Sequence, residues 1–257
     1  MRNATPVKKR HLVHNSIRVH LKKISSSEYI RILFLRTIGN FLIYSSIFML
    51  VKTFSQPVYE EIKYYWNQQN NKQYLVVSTE DEKNTQLQQI KDQKKGGLSS
   101  FIDSKNIEIL QPVNTDFSIV IPKIGANAPI IANVDAGSEE VYLDALSKGV
   151  AHASGTAYPG EGGHIFIFAH STDYVWNVST YNAVFYLLYK LEGNDEINLF
   201  YKGKRYKYKV IGRKVIDPSR VEYLTRKTPN EFLTMQTCWP PGTTLQRLLI
   251  FATLKVN

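Results

Sequence analysis

Cysteine is almost missing from this chain: Cys238 stands alone among 257 residues, which excludes a disulfide framework. Metal-binding spacings are missing as well. No C-x-x-C pair and no H-x-x-x-H pair accompanies His152, His164, His170 and Cys238, so neither a zinc site nor any other metal or cofactor is expected. Internal repeats of fixed period are absent. Glycine and proline are modest at 14 and 10 residues, which excludes a collagen-like fibre, and no second long apolar stretch supports a polytopic membrane protein. Basic excess is absent from most of the chain too. The formal charge is +10, but residues 1–52 hold ten Lys/Arg against Glu28, leaving 22 basic and 21 acidic residues in the remainder. Any anionic partner therefore belongs to the N-terminal segment.

What is present begins with that segment. Thr37 to Val51 (TIGNFLIYSSIFMLV) is mostly apolar and uncharged, yet only fifteen residues long between Arg36 and Lys52. A membrane span needs roughly 17 to 25 residues. Ile32 to Phe54 reaches that length if Arg36 and Lys52 snorkel to the two interfaces. Nine basic residues, Arg36 the last of them, precede the uncharged stretch from Thr37 while Glu60 and Glu61 follow it, so the positive-inside rule keeps the N-terminus cytoplasmic. A cleaved signal peptide is a rival reading, set against an n-region of over thirty residues and no clear small-x-small cleavage site. A buried amphipathic helix of a cytosolic protein is the other. The favoured expectation is a single-pass, uncleaved signal anchor in the cell membrane, with everything after it on the extracytoplasmic face.

The chain then divides by composition. Residues 1–31 are expected as a cytoplasmic basic tail, 32–54 as the transmembrane anchor, 55–112 as a polar stalk and 113–257 as the folded domain. The stalk is rich in Gln, Asn, Lys and Glu, with too little apolar surface to offset ordering entropy, so it reads as a partly helical or disordered spacer. From Asp116 onward, short apolar runs alternate with Gly and Pro: FSIVIPKIG, APIIANV, HIFIFAH, EINLFY, KRYKYKVIG, EFLTMQTC and LQRLLIFATL read as strands. Lys202-Gly203 reads as a hairpin turn. Ser138 is placed to cap a helix through SEEVYLDALS, and YNAVFYLLYKL (181–191) is helical by its apolar spacing. Many short strands with few helices indicate a closed or nearly closed β-barrel.

Three residues could carry chemistry. Cys238 ends a strand because Pro240 and Pro241 cannot extend a ladder, and alternation puts it on one face with Phe232, Thr234 and Gln236. A lone cysteine is most often a small buried hydrophobe. An exported domain gains little from an unpaired thiol at a strand end unless the thiol reacts. Arg247 begins the next strand; if Trp-Pro-Pro-Gly turns the chain back, thiol and guanidinium meet at one edge, where a nucleophile and an oxyanion stabiliser belong. His170 ends HIFIFAH and can serve as general acid and base. His164 shares its strand face and reads as core or strand start, while His152 in a Gly-rich loop could line the same site.

These pieces together resemble the sortase family of cysteine transpeptidases. The likeness runs in order through IPKIG (121–125), GVAHASGTAYPGEGGHIFIFAH (149–170), FYLLYKLEGNDEINLFYKGKRYKYKV (185–210) and TMQTCWPPGTTLQRLLIFATL (234–254). Thr237-Cys238 followed by Arg247 matches the family's T-L-x-T-C and R-L-I-V, and His170 follows an A-H step; Met235, His164 and Ser171 depart from the usual residues. The resemblance implies an eight-stranded sortase barrel in which Cys238 is the nucleophile, His170 the general acid/base and Arg247 the oxyanion or substrate-positioning cation. It makes His152 and Thr237 substrate-binding residues lining the site. It also implies cleavage of a Leu-Pro-x-Thr-Gly-like sorting signal of secreted proteins, a thioester, and transfer to an amine of peptidoglycan or a pilin. An extracytoplasmic cysteine hydrolase and a non-enzymatic wall-binding module stay open from the residues alone. Nucleic acid is not expected, because Lys at alternate hairpin positions protects an edge and the domain's charge is near zero.

Overall fold

The computed structural model describes residues 25–70, 72–78, 84–85, 88, 107–171 and 184–255. Residues 1–24 of the expected cytoplasmic tail and most of the expected stalk between 79 and 106 lie outside them. The chain divides into two units, residues 1–51 and 52–257.

The first unit is the leading part of a 44-residue helix, α1 (Ser26–Gln69). Its Ser26–Lys52 stretch is long and apolar enough to cross a membrane, and none of it is buried against protein. Phe34, Phe41, Tyr44 and Phe48 are 64–70% exposed, a display that water disfavours and lipid does not. The hydroxyls of Thr37 and Ser46 donate back to the carbonyls of Leu33 (2.9 Å) and Leu42 (2.8 Å), which satisfies them without solvent. The helix does not stop at the expected anchor boundary but runs on past Pro57 to Gln69.

The second unit contains the rest of α1, a small parallel pair and a barrel. The pair is β1 (Gln73–Val76) with β2 (Ile107–Leu110), so the segment expected as a stalk contributes ordered structure at both ends. The barrel strands are β3 (Phe117–Ile121), β4 (Ala126–Val134), β5 (Val150–Ala153), β6 (His164–Phe168), β7 (Glu196–Tyr201), β8 (Lys204–Ile216), β9 (Phe232–Trp239) and β10 (Gln246–Leu254). They close in the order β10-β8-β7-β3-β4-β5-β6-β9. Ile119, Ile165, Ile167, Leu199, Leu233, Met235 and Ile250 are fully or almost fully buried and form the core, each at every second position of its strand. Val120 and Phe200 point the other way and are still buried, because Val76 of β1 covers them with Leu110 of β2 beside it.

The expected hairpin is there, with Lys202 at φ 49 and Gly203 at φ 75, the left-handed pair that a two-residue turn between twisted strands demands. A helix α2 (Glu139–Lys148) follows β4, although its N-cap Ser138 makes no side-chain capping bond. Of the expected helix at 181–191, residues 181–183 lie outside the described residues; the remainder forms a short 3-10 turn, Tyr186–Lys190, with Leu187 and Leu188 buried. β5 was read as loop because its VAHA sits among glycines; it is a strand between β4 and β6. The glycine loop before β6 is held by Glu231, whose carboxylate accepts the N–H groups of Gly160 (2.9 Å) and Gly162 (3.3 Å) and the hydroxyl of buried Tyr208.

Candidate active site

β9 is the centre of the site because it pairs parallel with β6 and antiparallel with β10. On one side, Arg247 of β10 is the direct register partner of Cys238. On the other, Phe168 pairs with Gln236, and the pairing continues past the end of β6: Ala169 N–H donates to the Gln236 carbonyl at 3.1 Å, and the Thr237 hydroxyl donates to the Ala169 carbonyl at 3.0 Å. His170 lies two residues beyond the end of β6, so it leaves the ladder beside the end of β9 that carries Cys238. Cys238 and Arg247 share one register pair, and His170 stands on the neighbouring segment. All three line one cavity of about 540 Å³. Phe166, Phe168 and Gln236 share their face and form its floor; Tyr142, Leu143 and Leu146 of α2 make one wall, and Pro218, Val221 and Leu224 after β8 make another.

Local chemistry fixes the arrangement. Pro240 and Pro241 end the ladder just past Cys238, and the chain reverses through Gly242 at φ 83. The Gly242 N–H donates to the hydroxyl of buried Ser171 at 3.4 Å, which ties the turn after Cys238 to the residue after His170. Arg247 Nη1 donates to the carbonyls of Thr244 and Gln246, both at 3.1 Å. That leaves its Nε–H and Nη2 hydrogens without a partner among the described residues, available to an incoming carbonyl. Burial pushes the His170 imidazole below its usual 6.5, so near pH 7 it is neutral and can take a proton. Cys238 is half-buried and free. Among the described residues no group of three or more His, Cys, Asp or Glu converges to hold a metal ion.

Residues 119–255 match the family model of the Sortase domain, over half of the chain. The chain belongs to the sortase family. It is similar to Sortase D of Bacillus subtilis (strain 168), 29% identical over 161 residues that cover 62% of this chain and 73% of that one. Among solved structures it is similar to sortase C-1 from Actinomyces oris (28% identity, 56% of this chain and 76% of that one, TM-score 0.46). It is likewise similar to a Clostridium perfringens Sortase D5 transpeptidase (26% identity, 65% and 89%, TM-score 0.44). Family membership carries a cysteine transpeptidase role in the broad sense, with sorting-signal proteins as substrates and cell-wall or pilin acceptors as partners.

In this sortase the other residues singled out from the sequence lie as follows. Thr237 lines the cavity, but its side chain is buried and its hydroxyl is engaged by Ala169. His152 is not among the lining residues. It pairs in register with Ile167, on the face of β6 opposite Phe168 and His170, and packs against Phe117 and Tyr158 with its Nε2 near the Ala157 carbonyl (3.0 Å) and the Thr156 hydroxyl (2.9 Å). The cavity walls were not read from the sequence, although Phe166 and Phe168 share the parity of His170 and were legible by that signal.

His164 is 5% exposed, with Nε2 on the Thr234 hydroxyl at 2.8 Å and Nδ1 buried without a hydrogen-bond partner among the described residues. Burial, then the Arg226 guanidinium, lowers its pKa from 6.5 to about 4; the Arg226 carbonyl, near but not hydrogen-bonded, offsets this in part. The unfolded chain therefore binds this proton first. The stabilisation is complete above pH 6.5, is lost as pH falls from there to about 4, and amounts to about 3 kcal/mol at most. Burial lowers His152 and His170 as well, adding to the same slope. Denaturant unfolding of the wild type should show this loss between pH 6.5 and 4, and His164→Gln should flatten it; an unchanged slope in the variant would place its origin elsewhere.

Proposed function

We propose that this sortase cleaves a Leu-Pro-x-Thr-Gly-like sorting signal through a thioester on Cys238 and transfers the acyl group to an amine of the cell wall or a pilin. The observation that carries the reading is the convergence of His170, Cys238 and Arg247 on one cavity, with Cys238 and Arg247 direct register partners. His170 takes the proton from the Cys238 thiol, and the thiolate attacks the carbonyl carbon of the signal's threonine. The carbonyl oxygen becomes an oxyanion and accepts hydrogen bonds from the Arg247 N–H groups. As the C–N bond to glycine breaks, protonated His170 gives its proton to the departing amine, leaving the thioester. An acceptor amine then attacks the thioester carbonyl, His170 takes its proton, and collapse releases Cys238 with a new amide bond.

We place the cytoplasmic tail, anchor and outward domain as the charge pattern directs: the basic residues 1–31, eight Lys/Arg against Glu28, stay inside and residues beyond about 54 lie outside. Protease added to intact protoplasts should then remove the catalytic domain. A protected domain would reverse the orientation.

Arg247 and His170 are separable by kinetics. Arginine remains charged at any working pH and cannot shuttle a proton. Arg247→Lys keeps the charge and loses the planar fork, so kcat/KM against a fluorogenic sorting peptide should fall on the order of 10²-fold with the pH profile unchanged in shape. His170→Ala should abolish the limb of the profile that the imidazole sets. A near wild-type rate for Arg247→Lys, or two intact limbs for His170→Ala, would contradict these roles.

A further inference from the structure

Trp239 follows Cys238 and faces the other side of β9, away from the cavity. Its ring meets that of Tyr189 at 5.5 Å between centroids. Tyr189 belongs to the 3-10 turn Tyr186–Lys190, whose backbone is held on one side by Arg213 Nη1, donating to the Tyr189 carbonyl at 2.6 Å. On the other side the turn is gripped by α1. The Tyr189 hydroxyl donates to the Glu61 carboxylate, Lys190 Nζ lies 3.2 Å from the same carboxylate and donates to the Tyr65 hydroxyl at 3.1 Å, and the ammonium sits over the rings of Tyr64 and Tyr65 at 5.1 and 4.6 Å.

This is not an ordinary surface pair. The Lys190 and Glu61 side chains are only 15% and 24% exposed, so screening is weak and breaking the pair strands a charge. Burial opposes the Lys190 charge, but the bonds to Tyr65, Tyr189 and Glu61 outweigh it and raise its pKa, while burial and the carboxylate push the Tyr189 hydroxyl up to about 12. Lys190 therefore stays charged and Tyr189 stays protonated near neutral pH.

We propose that Glu61 and Tyr65 are positioning residues of the reaction: α1, continuing beyond its membrane-length stretch, clamps the Tyr186–Lys190 turn, and the turn backs Trp239 and so fixes the strand end that presents Cys238. The proposal rests on Cys238 being the nucleophile. A purely structural clamp would lower the melting temperature and leave chemistry alone, so the two roles separate by measurement.

The full chain in detergent micelles, as wild type, Glu61→Gln, Lys190→Met, the double variant and the milder Tyr65→Phe, should be compared in peptide turnover and in the alkylation rate of Cys238 by iodoacetamide. Glu61→Gln should lower kcat about tenfold with KM within about twofold, less than the ~10² that a full ångström of misplacement costs. Lys190→Met should do the same, the double variant should be no worse than either single one, and Tyr65→Phe should lose about threefold. Alkylation should shift in the same order. If kcat and alkylation stay within about twofold of wild type in every variant while only the melting temperature falls, the positioning role is wrong. Should the wild type fail to turn over peptide, the catalytic reading of Cys238 falls, and the alkylation rates still decide whether the clamp governs the thiol.

Discussion

Register on both sides of β9 is the constraint on which the site depends. A thiol alone at a strand end is weakly nucleophilic, and neither an imidazole nor a guanidinium helps it from the wrong face. Here the antiparallel ladder to β10 sets Arg247 opposite Cys238, and the parallel ladder to β6, extended by the Ala169 N–H and tied by the Thr237 hydroxyl, delivers His170 to the same cavity. A slip of one residue in either ladder would turn a member of the trio into the core, where Leu233 and Met235 are fully buried. The burial of those two side chains is thus what holds the reacting face outward. The same alternation that packs the barrel orients the chemistry.

In the proposed reaction the trio would divide the work by what each group can change. Arg247 keeps its charge and, with two of its hydrogens bound to Thr244 and Gln246, points a fixed pair of donors. His170 is neutral near pH 7 because burial disfavours its charge, so it is ready to accept the proton that Cys238 must lose. Around them the cavity is mainly apolar, and its wall after β8 is itself anchored: Arg226 lies over the rings of Tyr223, Phe232 and Phe251 at 5.1 to 5.3 Å. A wall held by one side chain on three rings can shape an extended peptide without needing a strand of its own.

Much of the barrel was legible because its strands announce themselves by alternation and by the residues that stop them. EINLFY coincides with β7, and the Pro-Pro that follows Trp239 correctly ended β9. The meeting of Cys238 with Arg247 was legible for the same reason, since one tight return links the two strands. His152 was less so: without β5 recognised as a strand, the parity that turns its ring to the face of Ile167 was hidden. The rise in polarity after Phe54 marks the end of the apolar span but not the end of the helix, and the partly helical character expected of the following segment takes the form of α1 running on to Gln69. The grip of Glu61 on Lys190 joins positions 129 apart and leaves no local pattern, so only the fold reveals it.

The central claim is that Cys238, activated by His170 and assisted by Arg247, carries the acyl group between a sorting signal and an amine. Intact-mass spectrometry of the enzyme mixed with a Leu-Pro-x-Thr-Gly peptide tests it most directly. The account predicts an adduct equal to the peptide up to its threonine acyl group, absent in Cys238→Ala and discharged by triglycine to a ligated peptide. No adduct on the wild type, an adduct that persists in Cys238→Ala, or discharge only to the free acid with triglycine in excess would contradict it.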